Sequence, residues 1–232
     1  DNLSTVVDGG RRRFTWGGGC SLHDKGTRKK KLPDLAPDPF REREELVRKL
    51  TAPLNESHGQ RRIALTDEFM LKGLFPFFAA FLHAAGFDLQ IIHDGDHAAL
   101  KRGIQTGNVP FCAPMQLFNG VTERMAASGV DMLFVPMLRS VPLAKGQRHS
   151  VVCPVVQASP DIVRWGVNHT KPAPRVIAPV FNLAPGNFES EPFLESCRRL
   201  GEELALPQHE WKAAWQAGVI LQKQFDEECG GI

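Results

Sequence analysis

Residues 62–92 read RIALTDEFMLKGLFPFFAAFLHAAGFDLQII, and this stretch decides the fold. Arg62-Ile63-Ala64-Leu65-Thr66 has the length and apolar content of a short buried strand. Pro76 suits a first helical turn, and Phe77, Phe78, Phe81 and Leu82 follow at helix spacing to a stop at Gly86. Phe87 to Ile92 alternates as a second strand. Thr66 and Asp67 are candidate caps for the segment after the first strand.

The same grammar continues downstream. The pattern predicts a helix near 96–104 ending at Gly107, and another from about Met115 to Ser128 stopping at Gly129. Asp131 to Pro136 predicts a third strand, apolar enough to be covered on both faces. After a loop rich in Arg, Lys and Pro, residues 151–156 read as extended, and Ser159-Pro160-Asp161 opens a helix to about Gly166. Arg175 to Phe181 predicts a fourth strand, and helices near 189–203 and 207–228 finish the chain. Strands alternating with helices predict an α/β fold, a Rossmann-like parallel sheet with flanking helices. Right-handed crossovers then put the loops after the strands on one rim, where such sheets bind ligands.

Residues 61–232 form this core, and residues 1–60 read as an irregular N-terminal arm with one helix. That helix covers roughly 40–50, with Phe40, Leu46, Val47 and Leu50 as its apolar face. The 232 residues suffice for one large domain or two small lobes. A formal charge of +2 is too small to argue for nucleic acid, and no apolar run is long enough for a membrane span. The chain opens at Asp1 with no initiator Met and no leader pattern, which predicts a piece of a longer protein. The five cysteines are odd in number and widely spaced, which argues against a disulfide framework and for a cytoplasmic setting.

Cys112, in Val109-Pro110-Phe111-Cys112-Ala113-Pro114, sits just before a predicted helix. Cys153, in Val152-Cys153-Pro154, precedes Pro160 and the helix that it opens. A thiolate near a helix start gains from the dipole and the unpaired amides, and the prolines stiffen the loop. Cys-Pro often accompanies iron–sulfur ligation. Cys20 follows Gly17-Gly18-Gly19, a run that lets backbone amides approach a cluster or an anion. The competing interpretation is two buried loop cysteines and a plain glycine turn. Cys197, mid-helix, and Cys229, near the terminus, read as packing residues. His93-Asp94-Gly95-Asp96-His97 invites a metal, but polar turns with helix caps give the same string. Asp67-Glu68 are acid–base candidates, with capping as the stronger alternative. His83 reads as a core histidine. Lys29 to Lys31 and Arg139, Lys145 and Arg148 can face an anion such as the phosphates of coenzyme A, or simply water. Trp211, Trp215, Val219 and Leu221 on the last helix form a packing face or a surface for a missing lobe.

Several strings resemble one family. They are Phe14-Thr-Trp-Gly-Gly-Gly-Cys20, Lys30-Lys-Leu-Pro-Asp-Leu, Asp38-Pro-Phe-Arg-Glu-Arg-Glu-Glu-Leu46, Leu74-Phe-Pro-Phe-Phe78, Phe111-Cys-Ala-Pro114, Gly129-Val-Asp131 and Cys153-Pro-Val-Val-Gln157. In order over about residues 14–165, they are similar to acyl-CoA dehydratase activase-related proteins of the 2-hydroxyglutaryl-CoA dehydratase activase type. The resemblance weakens beyond 170. It implies the uncharacterised C-terminal domain downstream of actin-like ATPase lobes, in anaerobes, linked to ATP-driven, low-potential electron transfer, with 61–232 as an α/β core that lacks a second lobe of the full-length protein. It implies Cys20, Cys112 and Cys153 as candidate ligands of a four-iron, four-sulfur cluster, and as partners the ATPase lobes and a dehydratase component. No actin-like phosphate loop is found, so no ATP site is expected in this fragment. The alternatives are a non-catalytic docking module for the ATPase lobes or a dehydratase, and a dehydratase-like lobe that binds CoA thioesters.

Overall fold

Ile63, Ala64, Leu65 and Thr66 are wholly buried, as a strand covered on both faces must be. The computed structural model describes residues 4–8, 12–16, 37–55, 61–93, 95–107, 110–167 and 172–231. The chain divides into two compact units, Asp1–Asp38 and Pro39–Ile232. In the first, β1 (Ser4–Asp8) pairs antiparallel with β2 (Arg12–Trp16), so these residues are a hairpin where the sequence predicted irregular chain. Cys20, Gly17 to Gly19 and Lys29 to Lys31 lie outside the described residues.

The second unit runs α1 (Pro39–Thr51), β3 (Arg62–Thr66), α2 (Phe75–Ala84), β4 (Asp88–Ile92), α3 (His97–Thr106), α4 (Ala113–Ala127), β5 (Met132–Phe134), β6 (Met137–Leu138), α5 (Pro154–Val167), β7 (Arg175–Ile177), β8 (Val180–Phe181), α6 (Glu191–Glu203) and α7 (Gln208–Cys229). The main sheet has the order β4-β3-β5-β7 and is parallel throughout. This is the α/β, Rossmann-like arrangement that the alternating pattern predicts. The chain leaves β3 for β4 on one side, then crosses back to β5 on the other. The switch point therefore lies between the C-terminal ends of β3 and β5.

Period-two alternation divides the strands between two cores. Ile63, Leu65, Met132 and Phe134 join the Phe-rich helix α2, with α1, α6 and α7, on one face. Ala64, Leu133 and Val135 face α4 and α5 on the other. Phe77, Phe78 and Phe81 of α2 are fully buried. No side chain of its own caps α2. Instead Gln222 of α7, itself buried, accepts from Phe77 N at 3.2 Å and donates to Gly73 O at 3.0 Å. Trp211 is buried and Trp215 donates its indole N–H to Phe188 O at 3.0 Å, so the tryptophans of α7 serve packing within this unit.

Proline accounts for three differences from the sequence reading. The predicted extended segment 151–156 is extended only to Val152, because α5 begins at Pro154, a residue preset for a first turn. Pro160 is then inside α5 and does not open it. The Val156 carbonyl, which a proline nitrogen cannot bond, accepts the Ser159 hydroxyl at 2.8 Å. The predicted strand 175–181 divides into β7 and β8 around Pro179, and the predicted third strand, 131–136, is strand only over β5, with β6 following Pro136. The pairing survives both breaks: Val135 N bonds Ile177 O and Met137 N bonds Pro179 O, each at 2.9 Å. Two smaller corrections concern side chains. Phe40 is 82% exposed and points away from the face made by Leu46, Val47 and Leu50. His83 is half-buried and not a core residue.

Helices α3 and α4 approach backbone to backbone. A Cβ on Gly103 would lie 1.7 Å from Gln116 O, and one on Gly120 would lie 1.9 Å from Ala99 O. The Gly120→Ala variant should therefore lose about 1–3 kcal/mol of stability, since the two helices must separate. Gly166, in α5, has open space around its missing Cβ. Gly166→Ala should be neutral or gain up to about 1 kcal/mol from helix propensity. Urea denaturation of both variants checks the contrast.

Candidate functional site

The strand register brings two titratable groups together. Thr66 pairs with Ile92 at the ends of β3 and β4, so the next residues, Asp67 and His93, are neighbours on the rim. Asp67 is buried, His93 is partly exposed, and His93 Nδ1 lies 3.1 Å from Asp67 Oδ2. Burial pushes the Asp67 carboxyl up, but the His93 hydrogen bond and charge, with help from Lys72, outweigh it and leave the acid below its ordinary value. Asp67 Oδ1 is buried and has no hydrogen-bond partner among the described residues. The predicted capping role of Asp67 is thus replaced by a pairing with His93. Sequence reasoning noticed each residue alone. The link between them was the equal distance of each from the end of a strand.

Gly95 and Asp96 of the histidine–aspartate string serve local structure. Asp96 Oδ1 caps α3 by accepting from Ala99 N at 2.7 Å, and Gly95 N donates to Glu68 Oε1 at 2.9 Å. Asp94 lies outside the described residues. Among the described residues, no three His, Cys, Asp or Glu side chains are grouped to hold a metal ion.

Cys112 and Cys153 occupy equivalent places. Cys112 is the residue before α4, and its carbonyl accepts from Gln116 N at 2.9 Å. Cys153 is the residue before α5, and its carbonyl accepts from Gln157 N at 3.2 Å. Each helix carries proline within its first two residues, which fixes the entry of the chain. The helices pack on each other through Val121, Met125, Val163 and Val167, and Cys112 and Val155 border that same cluster. Both helices run back toward the start of the next strand, so both thiols belong to the C-terminal rim of the sheet. Cys112 is half-buried and Cys153 exposed, which sets them apart from core cysteines. Cys197 is the opposite case: it is fully buried, and burial pushes its thiol well up. Cys20, the third candidate ligand, lies outside the described residues.

The switch point itself holds little space. Phe69, with a positive φ of 59°, stacks on Phe118 at 4.9 Å, and the cavity beside them is about 10 Å³. Room lies elsewhere. One cavity of about 550 Å³ is lined by Arg102, Asn119, Trp165 and Gly166, near the C-terminal end of α5. At 1.5 Å per residue it is roughly 18 Å along the helix from Cys153. Another, of about 420 Å³, opens beside Arg139 and Arg148.

The Asp67–His93 pairing gives a stability prediction. Replacing His93 by Ala removes a side-chain hydrogen bond from a buried carboxylate and should cost about 1–3 kcal/mol at neutral pH. Because the Asp67 pKa is depressed in the folded chain, its contribution is complete above its unfolded value and fades as pH falls through the lower folded value. The deficit of the variant, measured by urea denaturation, should therefore shrink on going from neutral pH to about pH 3.

A family model described as the CoA enzyme activase uncharacterised domain matches residues 62–231. Searches of curated proteins and of solved structures found no match. The match covers most of the chain, including all of the parallel sheet and helices α2 to α7, and the chain belongs to the CoA enzyme activase uncharacterised domain family.

Proposed function

We propose that the chain is an iron–sulfur-linked accessory domain of a CoA enzyme activase-like protein, serving ATP-driven, low-potential electron transfer. The observation that carries this reading is the matched placement of half-buried Cys112 and exposed Cys153 at the starts of two packed helices on one rim. Their donor chemistry fits a thiolate-ligated cluster. Sulfur is the donor that such clusters take. Cys20, after its glycine run, is the third residue assigned to hold the cluster in this proposal. When bound, such a group accepts and passes single electrons. The chain's own part is to supply thiolate charge, to donate amide hydrogen bonds toward sulfur and to limit access of water. ATP hydrolysis belongs in this scheme to the actin-like lobes, with a dehydratase as the electron acceptor.

Anaerobic reconstitution with iron and sulfide tests it. The expected result is roughly four iron and four sulfide per chain with a charge-transfer absorption band. Cys112→Ser and Cys153→Ser should each lower bound iron without changing the urea midpoint. Chain that stays free of iron, or serine variants that retain it fully, would falsify the proposal.

A docking role is the second reading, and one observation favours it. Phe111 and Val151, beside the two cysteines, are 79% and 76% exposed, an unusual setting for large apolar side chains. On this reading they are covered by the ATPase lobes or a dehydratase. Phe111→Ser should then weaken binding to the purified lobes while leaving iron content unchanged.

A further inference from the structure

Beyond β6 and β8 the chain builds a second feature, which the thiols do not use. The cavity of about 420 Å³ is lined by Arg139, Arg148, His149 and Asn182, together with apolar and hydroxyl groups. Arg139 directly follows β6, and Asn182 directly follows β8, its parallel partner. The cavity therefore opens at the C-terminal ends of paired parallel strands, where sheets of this kind take ligands.

Its walls are held in place before any ligand arrives. The loop from Arg139 to Val152 is closed by a bridge between Ser140 and Val151, and by Val141 N to Ser150 O and Val152 N to Arg139 O, both 3.1 Å. The facing loop is pinned to it. Buried Ser140 donates its hydroxyl to Leu183 O at 2.9 Å and accepts from Leu183 N at 2.6 Å. Leu143 N donates to Asn187 Oδ1 at 2.8 Å. Such preorganisation lowers the ordering cost of binding.

The charge balance is one-sided. No Asp or Glu lines the cavity among the described residues. Elsewhere on the surface arginines are matched: Arg198 with Glu195 and Glu202, Arg164 with Asp161. Among the described residues, the Arg139 and Arg148 guanidiniums have no hydrogen-bond or ion-pair partner. Two unmatched like charges around one cavity repel each other, and an anion between them relieves that repulsion. The guanidinium fork suits phosphate oxygens in paired hydrogen bonds, and a dianion answers two arginines where a single carboxylate answers one. His149 and Asn182 supply further polar groups. We infer that this cavity binds a phosphate or diphosphate group, either free or carried on a small molecule.

Titration calorimetry of the full chain with sodium pyrophosphate and with coenzyme A, at low ionic strength, tests the site. Saturable pyrophosphate binding is expected, weakened by at least about ten-fold in the R139Q/R148Q double variant. The exposed Arg199→Gln variant on α6 should bind as the parent does. Should the double variant fail to fold, R139Q and R148Q singly, each weakening binding by about three-fold or more, carry the same test. Displacement of pyrophosphate by coenzyme A assigns the site to cofactor phosphates. Binding of pyrophosphate that coenzyme A does not displace assigns it to a free inorganic anion. Absence of heat with both compounds at millimolar concentration, or undiminished binding in the variants, overturns the site. None of these outcomes depends on iron, so this inference and the cluster proposal fail separately.

Discussion

Everything on the functional rim follows from one requirement: the parallel sheet must be covered on both faces. A parallel strand cannot return by a tight hairpin, so each crossover needs a helix, and the two-sided strands need helices above and below. Alternation along β3 and β5 sends Ile63, Leu65, Met132 and Phe134 to one core and Ala64 and Leu133 to the other. A crossover helix that leads into the next parallel strand must run back along the sheet. Its N-terminus, with unpaired amides and the positive end of its dipole, is therefore left on the C-terminal rim. That is where Cys112 and Cys153 are found.

The rim is not uniform. At the switch point, Phe69 fills the crevice and stacks on Phe118, leaving space of about one water. Beside it the Asp67–His93 couple ties the ends of β3 and β4 together. The open space is displaced to the ends of β6 and β8, the short pair that continues the main ladder past Pro136 and Pro179. Those two prolines act together. Each withdraws a donor and interrupts its strand, and the Arg139 and Asn182 loops begin where the strand extensions end. No helix among the described residues is long and apolar enough to cross a membrane.

The two faces of the core differ in how they are sealed. On the α2 face the seal is aromatic, with Phe78 packed on Phe134 and Phe181 at 5.0 and 4.8 Å. Gln222 reaches from α7 to serve the start of α2, so a polar group is buried there because both of its ends are bonded. On the other face the seal is close approach of backbone, through Gly103 and Gly120. A face of small residues leaves α4 close to its neighbours and sets the position of Cys112 at its start.

The sequence by itself determined the elements that depend on local signals: the buried run Ile63 to Thr66, the proline and glycine limits of α2, the Gly107 and Gly129 stops, and the parallel α/β class. It also marked Cys112 as a helix-start residue and set Cys197 apart as a packing residue, but it left Cys153 in an extended segment ahead of a helix opening at Ser159-Pro160, where α5 in fact begins at Pro154. It misjudged Pro160, because a proline that starts a helix and one tolerated within a helix look alike until the Ser159 hydroxyl is seen to bond the Val156 carbonyl. It missed the Asp67–His93 pairing, and although it named Arg139 and Arg148 as residues that can face an anion, it did not find the cavity that they line with His149 and Asn182. Those depend on strand register and on two loops meeting, which bring together residues 26 positions apart in the first case and enclose a cavity in the second. Periodicity and caps act within a few residues along the chain; partners for a buried carboxylate or an unmatched guanidinium are settled only when remote segments pack.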